Sequence, residues 1–291
     1  MYPTTLRRVA IVGSGMIGTS IALALRRAGI RVGLSDKDQD MVVKAELMGA
    51  GVALRPGDPP ADVVVIATPP SAVVGVLRDA QARGLGEVYT DVASTKGRIV
   101  AEAERAGCDL TTYVPGHPMA GRELSGAFAA RADLFAGRPW ALCPHPATPP
   151  EPLHMVAQLA AACGGEPEFL APHTHDRIVA AASHAPHLVS AALAAGFAGV
   201  DESMLSLVGT GLRDMTRVAA GDPALWCDIL EQNGEAVATV LDSVVRDLAE
   251  AACALRAGNG EGAPGMLVDL LSRGNHGRER IMDRCRAAAR V

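Results

Sequence analysis

Aromatic residues are scarce, with four Phe, three Tyr and two Trp in 291 residues. Platforms that stack successive bases of a single strand are therefore not expected. A formal net charge of -5 likewise speaks against a partner presenting a phosphate backbone. The six cysteines (Cys108, Cys143, Cys163, Cys227, Cys253, Cys285) form no CxxC pair and no Cys/His ligand spacing. That disfavours a zinc site or a disulfide framework and fits a reducing cytoplasm. The opening MYPTTLRRVAIVGSG lacks the apolar region and cleavage site of a signal peptide, so no leader is expected. Charge is missing from one long stretch, residues 178–200, whose length approaches a membrane span. Ser183, His184, Pro186, His187 and Ser190 interrupt it, so a buried helix with polar groups facing a site is expected, with no membrane partner.

Apolar residues make up 49% of the chain and charged residues 20%, enough to bury a real core and too apolar for disorder. The length is about twice that of one domain. Short apolar runs at 8–12, 31–35, 62–67, 88–92, 111–114 and 140–143 read as buried strands. Helical stretches lie between several of them; one spans Ile17 to Ala28 and is closed by Gly29. Strands alternating with helices predict a Rossmann-type, mainly parallel sheet with right-handed crossovers. The proline-rich PHPATPPEP (144–152) follows, then one more helix–strand pair ending near Phe169. From His173 onward the patterns are helical only, broken at 209–211, 221–223 and 258–265. The expected division is an α/β domain over 1–171, whose glycine-rich turn is read below as dinucleotide-binding, and an all-α domain over 172–291.

Gly13-Ser14-Gly15-Met16-Ile17-Gly18 is a GxGxxG between the first strand and the first helix. Gly13 permits a tight turn, Gly15 lets backbone approach a pyrophosphate, and Gly18 lets helix and strand pack closely. The N–H groups at Met16 and Ile17 begin a helix whose dipole favours phosphate. Asp36 ends the second strand, 18 residues past Gly18, where a carboxylate can accept from ribose hydroxyls and repel a 2′-phosphate. NAD is thus favoured over NADP, with the adjacent Lys37 weakening the preference; Thr68, just past a strand, is a further cofactor candidate.

Two further constellations carry chemistry. Asp91-Val-Ala-Ser94-Thr-Lys96-Gly and His117-Pro-Met-Ala-Gly-Arg122-Glu123 both follow strands, on the carboxyl edge where open α/β sheets bind ligands. The ordinary alternatives are a helix N-cap for Ser94 and a structural turn for His117. In the helical half stand Thr174-His175-Asp176-Arg177, Ser183-His184-Ala-Pro186-His187 and Gly209-Thr-Gly-Leu-Arg213-Asp-Met-Thr-Arg217. His184 and His187 share a helix face, with Pro186 distorting that turn. Nine residues separate His175 from His184, which on an ideal helix sets them on opposite faces. Arg213, near a helix start, offers a fork for a carboxylate, or else pairs with Asp214 at the surface. The histidines have no carboxylate or thiol at ligand spacing, so no metal is expected.

In order, GSGMIGTS, DVASTKG, HPMAGRELSG, HDRIVAAASHAPH and GLRDMTR resemble the prephenate dehydrogenase family over nearly the whole chain. The resemblance implies a dinucleotide-binding domain, a helical domain that builds a homodimer, and NAD-dependent oxidative decarboxylation of prephenate, arogenate or an amino-substituted analogue. It implies that His117 bonds the substrate's ring hydroxyl and that Ser94 lies between that hydroxyl, the histidine and the nicotinamide ribose. By the same resemblance Arg213 holds a substrate carboxylate, Glu123 sits at the mouth of the site, and His175, His184 and His187 serve from the helical domain. Arg122 stands where the family commonly has Ser or Thr, which leaves side-chain recognition open. A β-hydroxyacid dehydrogenase would need a lysine in its second domain, yet the only lysines are Lys37, Lys44 and Lys96. A sensor that kept the fold and lost chemistry is disfavoured by the intact Ser94, His117 and Arg213. The Arg-rich end of the chain reads as a solvated helix face, and no appended regulatory domain is expected.

Overall fold

The computed structural model describes residues 6–121, 126–257 and 263–288, with the side chains of 263, 264 and 284–288 left aside. Contacts group the chain into two compact units, the first running to Val237 and the second from Ala238.

The first unit opens with alternating strands and helices. They are β1 (Arg8–Val12), α1 (Met16–Arg27), β2 (Arg31–Ser35), α2 (Gln39–Leu47), β3 (Val52–Ala53), β4 (Ala61–Ile66), α3 (Val73–Ala82), β5 (Gly86–Asp91), α4 (Gly97–Arg105) and β6 (Tyr113–Val114). The six strands pair in parallel in the order β3-β2-β1-β4-β5-β6. This is the expected doubly wound sheet, with β3 an addition that its two residues were too few to announce. Successive residues of β4 explain why the strands read as apolar runs. Val63 and Val65 join one buried cluster, with Ile21 and Leu25 of α1, while Val64 and Ile66 join another, with Leu77 of α3. Both faces of the sheet are covered, so alternation is lost.

The strand order reverses between β1 and β4, which puts the switch-point crevice at their carboxyl ends. Beyond β6 come β7 (Gly116–Pro118), β8 (Pro139–Leu142), α5 (Pro150–Ala162) and β9 (Glu166–Phe169). β7 runs antiparallel to β8, and β8 parallel to β9, in a separate three-stranded sheet. The run at 140–143 therefore pairs with a short strand carrying His117, so the segment offered as a turn in the ordinary alternative is a strand.

Helices follow: α6 (Pro172–Val179), a π-helical turn (Ala180–His184), α7 (Ala185–Ala195), α8 (Glu202–Leu205), α9 (Thr210–Thr216) and α10 (Pro223–Gln232), then α11 (Gly234–Ala257). Pro172 to Ala195 is long and apolar enough, by length and composition, to cross a membrane. Its buried positions include His175, Asp176, His184, His187 and Ser190, whereas Ile178 and Leu193 are 47% and 39% exposed. The polar side of this run faces inward as expected, but part of its apolar side is open in the single chain.

The second unit comprises the rest of α11 and α12 (Ala263–Ala288). Arg273 on α12 donates to Asp247 of α11 and to Asp269 one turn away. Of the break expected at 258–265, residues 258–262 lie outside the described residues and 263 begins α12.

Candidate active site

Where β1 ends, Gly13 takes φ +109°, a conformation that side chains rarely adopt, and its N–H donates to the Ser35 carbonyl at 2.8 Å. A β-carbon there would stand 2.3 Å from the carbonyl oxygen of Ala67, past β4. Gly15 is the N-cap of α1, and a β-carbon on it would meet nothing within 4 Å. The α1 N-terminus, with Met16 and Ile17 as its first residues, is thus approachable over Gly15 and presents unpaired N–H groups. Asp36 is drawn to the same turn: one oxygen accepts from the Ser14 N–H at 2.6 Å, the other from the Asp38 N–H at 2.9 Å. Thr68, Ser94 and Thr95 follow the carboxyl ends of the adjacent β4 and β5, and each has a buried hydroxyl without a hydrogen-bond partner among the described residues. Unpaired hydroxyls and an open helix N-terminus are what a dinucleotide's diphosphate and ribose hydroxyls would satisfy. The residues fit NAD. Ser94 is not a helix cap, since α4 begins after Lys96 with no side-chain cap bond.

His117 lies in β7, and its Nδ1 is 2.8 Å from Nε2 of His175 on α6. The two rings meet edge to face, with centroids 5.1 Å apart. His175 is 1% exposed, and its Nδ1 is 2.8 Å from Oδ1 of Asp176. Asp176 in turn accepts the backbone N–H groups of Lys96 at 2.8 Å and Gly97 at 2.7 Å, at the start of α4. Burial raises the Asp176 carboxyl, but the His175 hydrogen bond and those two N–H groups together hold it below its ordinary value. Beneath the site the fully buried Lys96 ammonium pairs with Asp91, which also accepts from the Tyr113 hydroxyl at 2.5 Å. Burial first, and then electrostatic coupling to His175, the Lys96 ammonium and His184, pushes His117 well below the usual histidine range. At neutral pH His117 is an uncharged imidazole.

The expected opposition of His175 and His184 does not hold. The turn Ala180–His184 is π-helical, and its i→i+5 bonds spread each turn over more residues. At about 80° rather than 100° per residue, five residues shift the phase by about 100°. The cause is in the sequence: Pro186 lacks an N–H and its ring would strike the carbonyl four residues back. Asn233 bridges Asp176 and His184, its Nδ2 donating to the Asp176 carbonyl at 2.9 Å and lying 3.2 Å from Nδ1 of His184. Burial pushes His184 down to about 4, with Asp176 opposing. His187 stacks on Trp226, with centroids 3.5 Å apart and planes 9° from parallel. His187 is also lowered by burial, against a hydrogen bond to the backbone of Val218.

Arg213 is exposed on α9, and its side chain has no hydrogen bond or ion pair among the described residues. Its helix is pinned to α7 by the Ser190 hydroxyl, which donates to the Met215 carbonyl at 2.8 Å. Among the described residues no hydrogen bond or ion pair joins Arg213 to the His117 group. Arg122 and Glu123 lie outside the described residues. Sequence analysis passed over Asp176, Lys96, Asn233 and Trp226 as site residues. The first two carried a signal, a carboxylate beside His175 and a cation directly after an apolar strand.

Two family descriptions match the chain: "Prephenate dehydrogenase, nucleotide-binding domain" over residues 21–168 and "Prephenate dehydrogenase, dimerization domain" over 171–272. The chain is 38% identical over 285 residues to the probable prephenate dehydrogenase NovF of Streptomyces niveus, covering 96% of this chain and 78% of that protein. Its fold is similar to prephenate dehydrogenase from A. aeolicus, solved in complex with hydroxyphenyl propionate and NAD+, with a TM-score of 0.84 at 27% identity over 96% of this chain and 99% of that one. It is also similar to Synechocystis arogenate dehydrogenase, with a TM-score of 0.74 at 27% identity over 94% of this chain and 99% of that one.

Proposed function

The chain belongs to the prephenate dehydrogenase family, and from that membership we propose that it converts prephenate to 4-hydroxyphenylpyruvate and carbon dioxide, reducing NAD, as a step towards tyrosine. The observation that carries this reading is the neutral, hydrogen-bonded His117 on the carboxyl side of a nucleotide-binding sheet. The bound nicotinamide supplies the hydride acceptor. Gly15 and the α1 N-terminus would hold the diphosphate, Asp36 the adenosine ribose, and Thr68 and Ser94 further hydroxyls.

In this reaction hydride leaves the hydroxyl-bearing ring carbon as carbon dioxide leaves the opposite one. The electrons of the carbon–carboxylate bond pass into the ring, which becomes aromatic, and no net proton is released. Positive charge develops on the hydroxyl oxygen as hydride departs, and a neutral imidazole accepting its hydrogen bond stabilises that charge. Such positioned acid–base assistance contributes about 10²- to 10⁴-fold. Carboxylate binding by Arg213, joined by His184 and His187 at the helical side and Glu123 and Arg122 at the mouth, would supply orientation. Asp36 favours NAD over NADP by repelling a 2′-phosphate.

We also infer a homodimer in the cytoplasm, divided near Ala171 into nucleotide-binding and helical parts. The dimerization-domain match, the exposed apolar side chains of 172–195 and the free Cys108, Cys143, Cys163, Cys227 and Cys253 support this. The test is NAD(P)H formation from prephenate, arogenate and 4-amino-4-deoxyprephenate with each cofactor. The highest kcat/KM is expected for prephenate with NAD. The similarity to an arogenate dehydrogenase makes arogenate the second arm, and turnover of none of the three would reject the reading.

A further inference from the structure

The hydrogen bonds behind His117 form a chain whose direction is set from one end. Asp176 faces two backbone N–H groups, Lys96 on Oδ1 and Gly97 on Oδ2. Backbone N–H groups only donate, so both carboxylate oxygens must accept, and the group is held as an anion at the N-terminus of α4. The approach is close: a β-carbon on Gly97 would stand 2.9 Å from Oδ2 of Asp176 and 3.2 Å from Nδ1 of His173. This carboxylate cannot donate to His175, so the Nδ1 of His175, 2.8 Å from Oδ1, carries the proton. With that single ring proton, His175 keeps its lone pair on Nε2. That atom is 2.8 Å from Nδ1 of His117, which must be the donor in turn.

We propose that Asp176, acting through His175, sets the tautomer of His117, with the proton on Nδ1 and the acceptor lone pair on Nε2. The assignment rests on the proposed function for its consequence, since an Nε2 acceptor is what a substrate hydroxyl requires. His117 is the catalytic residue here, and His175 and Asp176 are positioning residues. An isolated imidazole favours the opposite tautomer, with the proton on Nε2, which would present a donor to the hydroxyl. The charged and titratable groups around the pair are Lys96, Asp91 and Asp176 from the β5–α4 and α6 side, and His184 from the π turn. Among the described residues none of these groups faces His117 with a carboxylate directly, and orientation reaches it through His175. The separate Lys96–Asp91 pair keeps Asp91 engaged with the Lys96 ammonium, the Tyr113 hydroxyl and the Ala93 N–H, and leaves Asp176 to His175.

The assignment is read directly by NMR of the full-length protein labelled with nitrogen-15 at histidine, with the His117 signals identified by their loss in His117→Asn. The expected wild-type spectrum shows a protonated Nδ1 and an unprotonated Nε2 on His117. A proton on Nε2 overturns the proposal without any variant. Asp176→Asn cannot accept on both sides and carries no charge. It should move His117 towards the Nε2–H tautomer and lower kcat by about 10²- to 10⁴-fold. KM for NAD should change by less than about threefold, because Asp36 and the glycine turn are untouched. Gly97→Ala, which displaces the carboxylate, should act in the same direction to a smaller extent. Unchanged kcat and tautomer in a folded Asp176→Asn protein would likewise overturn it. The functional reading fails separately, if the wild type turns over no substrate, since the tautomer is measured in the same sample regardless.

Discussion

Gly18 packs against Gly13 so closely that a β-carbon on it would lie 1.9 Å from the Gly13 carbonyl oxygen. Gly15, between them, has nothing within 4 Å of the same position. One glycine is required by the protein's own packing and the other by something the chain does not supply. Gly15→Ala should therefore leave the melting temperature within about 2 °C of wild type while weakening NAD at least tenfold. Gly18→Ala should destabilise the fold as well. Calorimetry and NAD titration check this, and unchanged NAD affinity in Gly15→Ala would remove the turn from the cofactor site.

His117→Asn should lower kcat by about 10²- to 10⁴-fold with little change in NAD affinity. Steady-state kinetics beside NAD titration decide it. Equal loss of both would mean that the ring holds the fold of the crevice instead of the substrate hydroxyl.

The pH profile follows from the direction of the His117 shift. Burial lowers its affinity for a proton, so the neutral acceptor persists below the ordinary histidine value of 6.5. kcat/KM should stay level as pH falls through that value and decline only well below it. A drop centred near 6.5 would assign the titration to another group.

The same burial makes stability depend on pH. His184 binds a proton at about 4 in the folded chain and at about 6.5 when unfolded. Between those values the unfolded state binds more protons, so stability rises with pH and is lost as pH falls from about 6.5 to about 4. The slope for this one group reaches about 1.4 kcal/mol per pH unit. Denaturant unfolding across that window should show a shallower slope in His184→Gln, and an identical slope would refute the assignment.

Arg213 tests the helical side. As a bidentate receptor it should not tolerate lysine, so Arg213→Lys should raise KM for prephenate about tenfold or more while sparing NAD. Arg217→Lys is the informative comparison, because Arg217 adjoins Val218, to whose backbone His187 bonds. If Arg213→Lys leaves KM unchanged and Arg217→Lys raises it, the carboxylate role belongs to Arg217.

Features set by neighbouring residues could be read along the chain. The β1–Gly13–α1 turn, Asp36 at the end of β2 and the buried parallel strands all follow from short-range sterics and from apolar runs covered on both faces. Gly29 closing α1 at φ +80° belongs with them. Pairings across long separations could not be read. His117 meets His175 across 58 residues, and Lys96 meets Asp176 across 80. Nothing in either local pattern says that β7 will leave the main sheet to pair with β8, or that α6 will bring its first turn to the start of α4. The phase of His184 relative to His175 was misjudged because a proline-induced π turn alters the helical period, and the period is the only ruler that spacing provides. Chain order thus names the reactive groups, while packing of the helical segment on the sheet decides which of them touch. A hydrogen bond needs heavy atoms within about 3 Å, a tolerance that only the assembled core enforces.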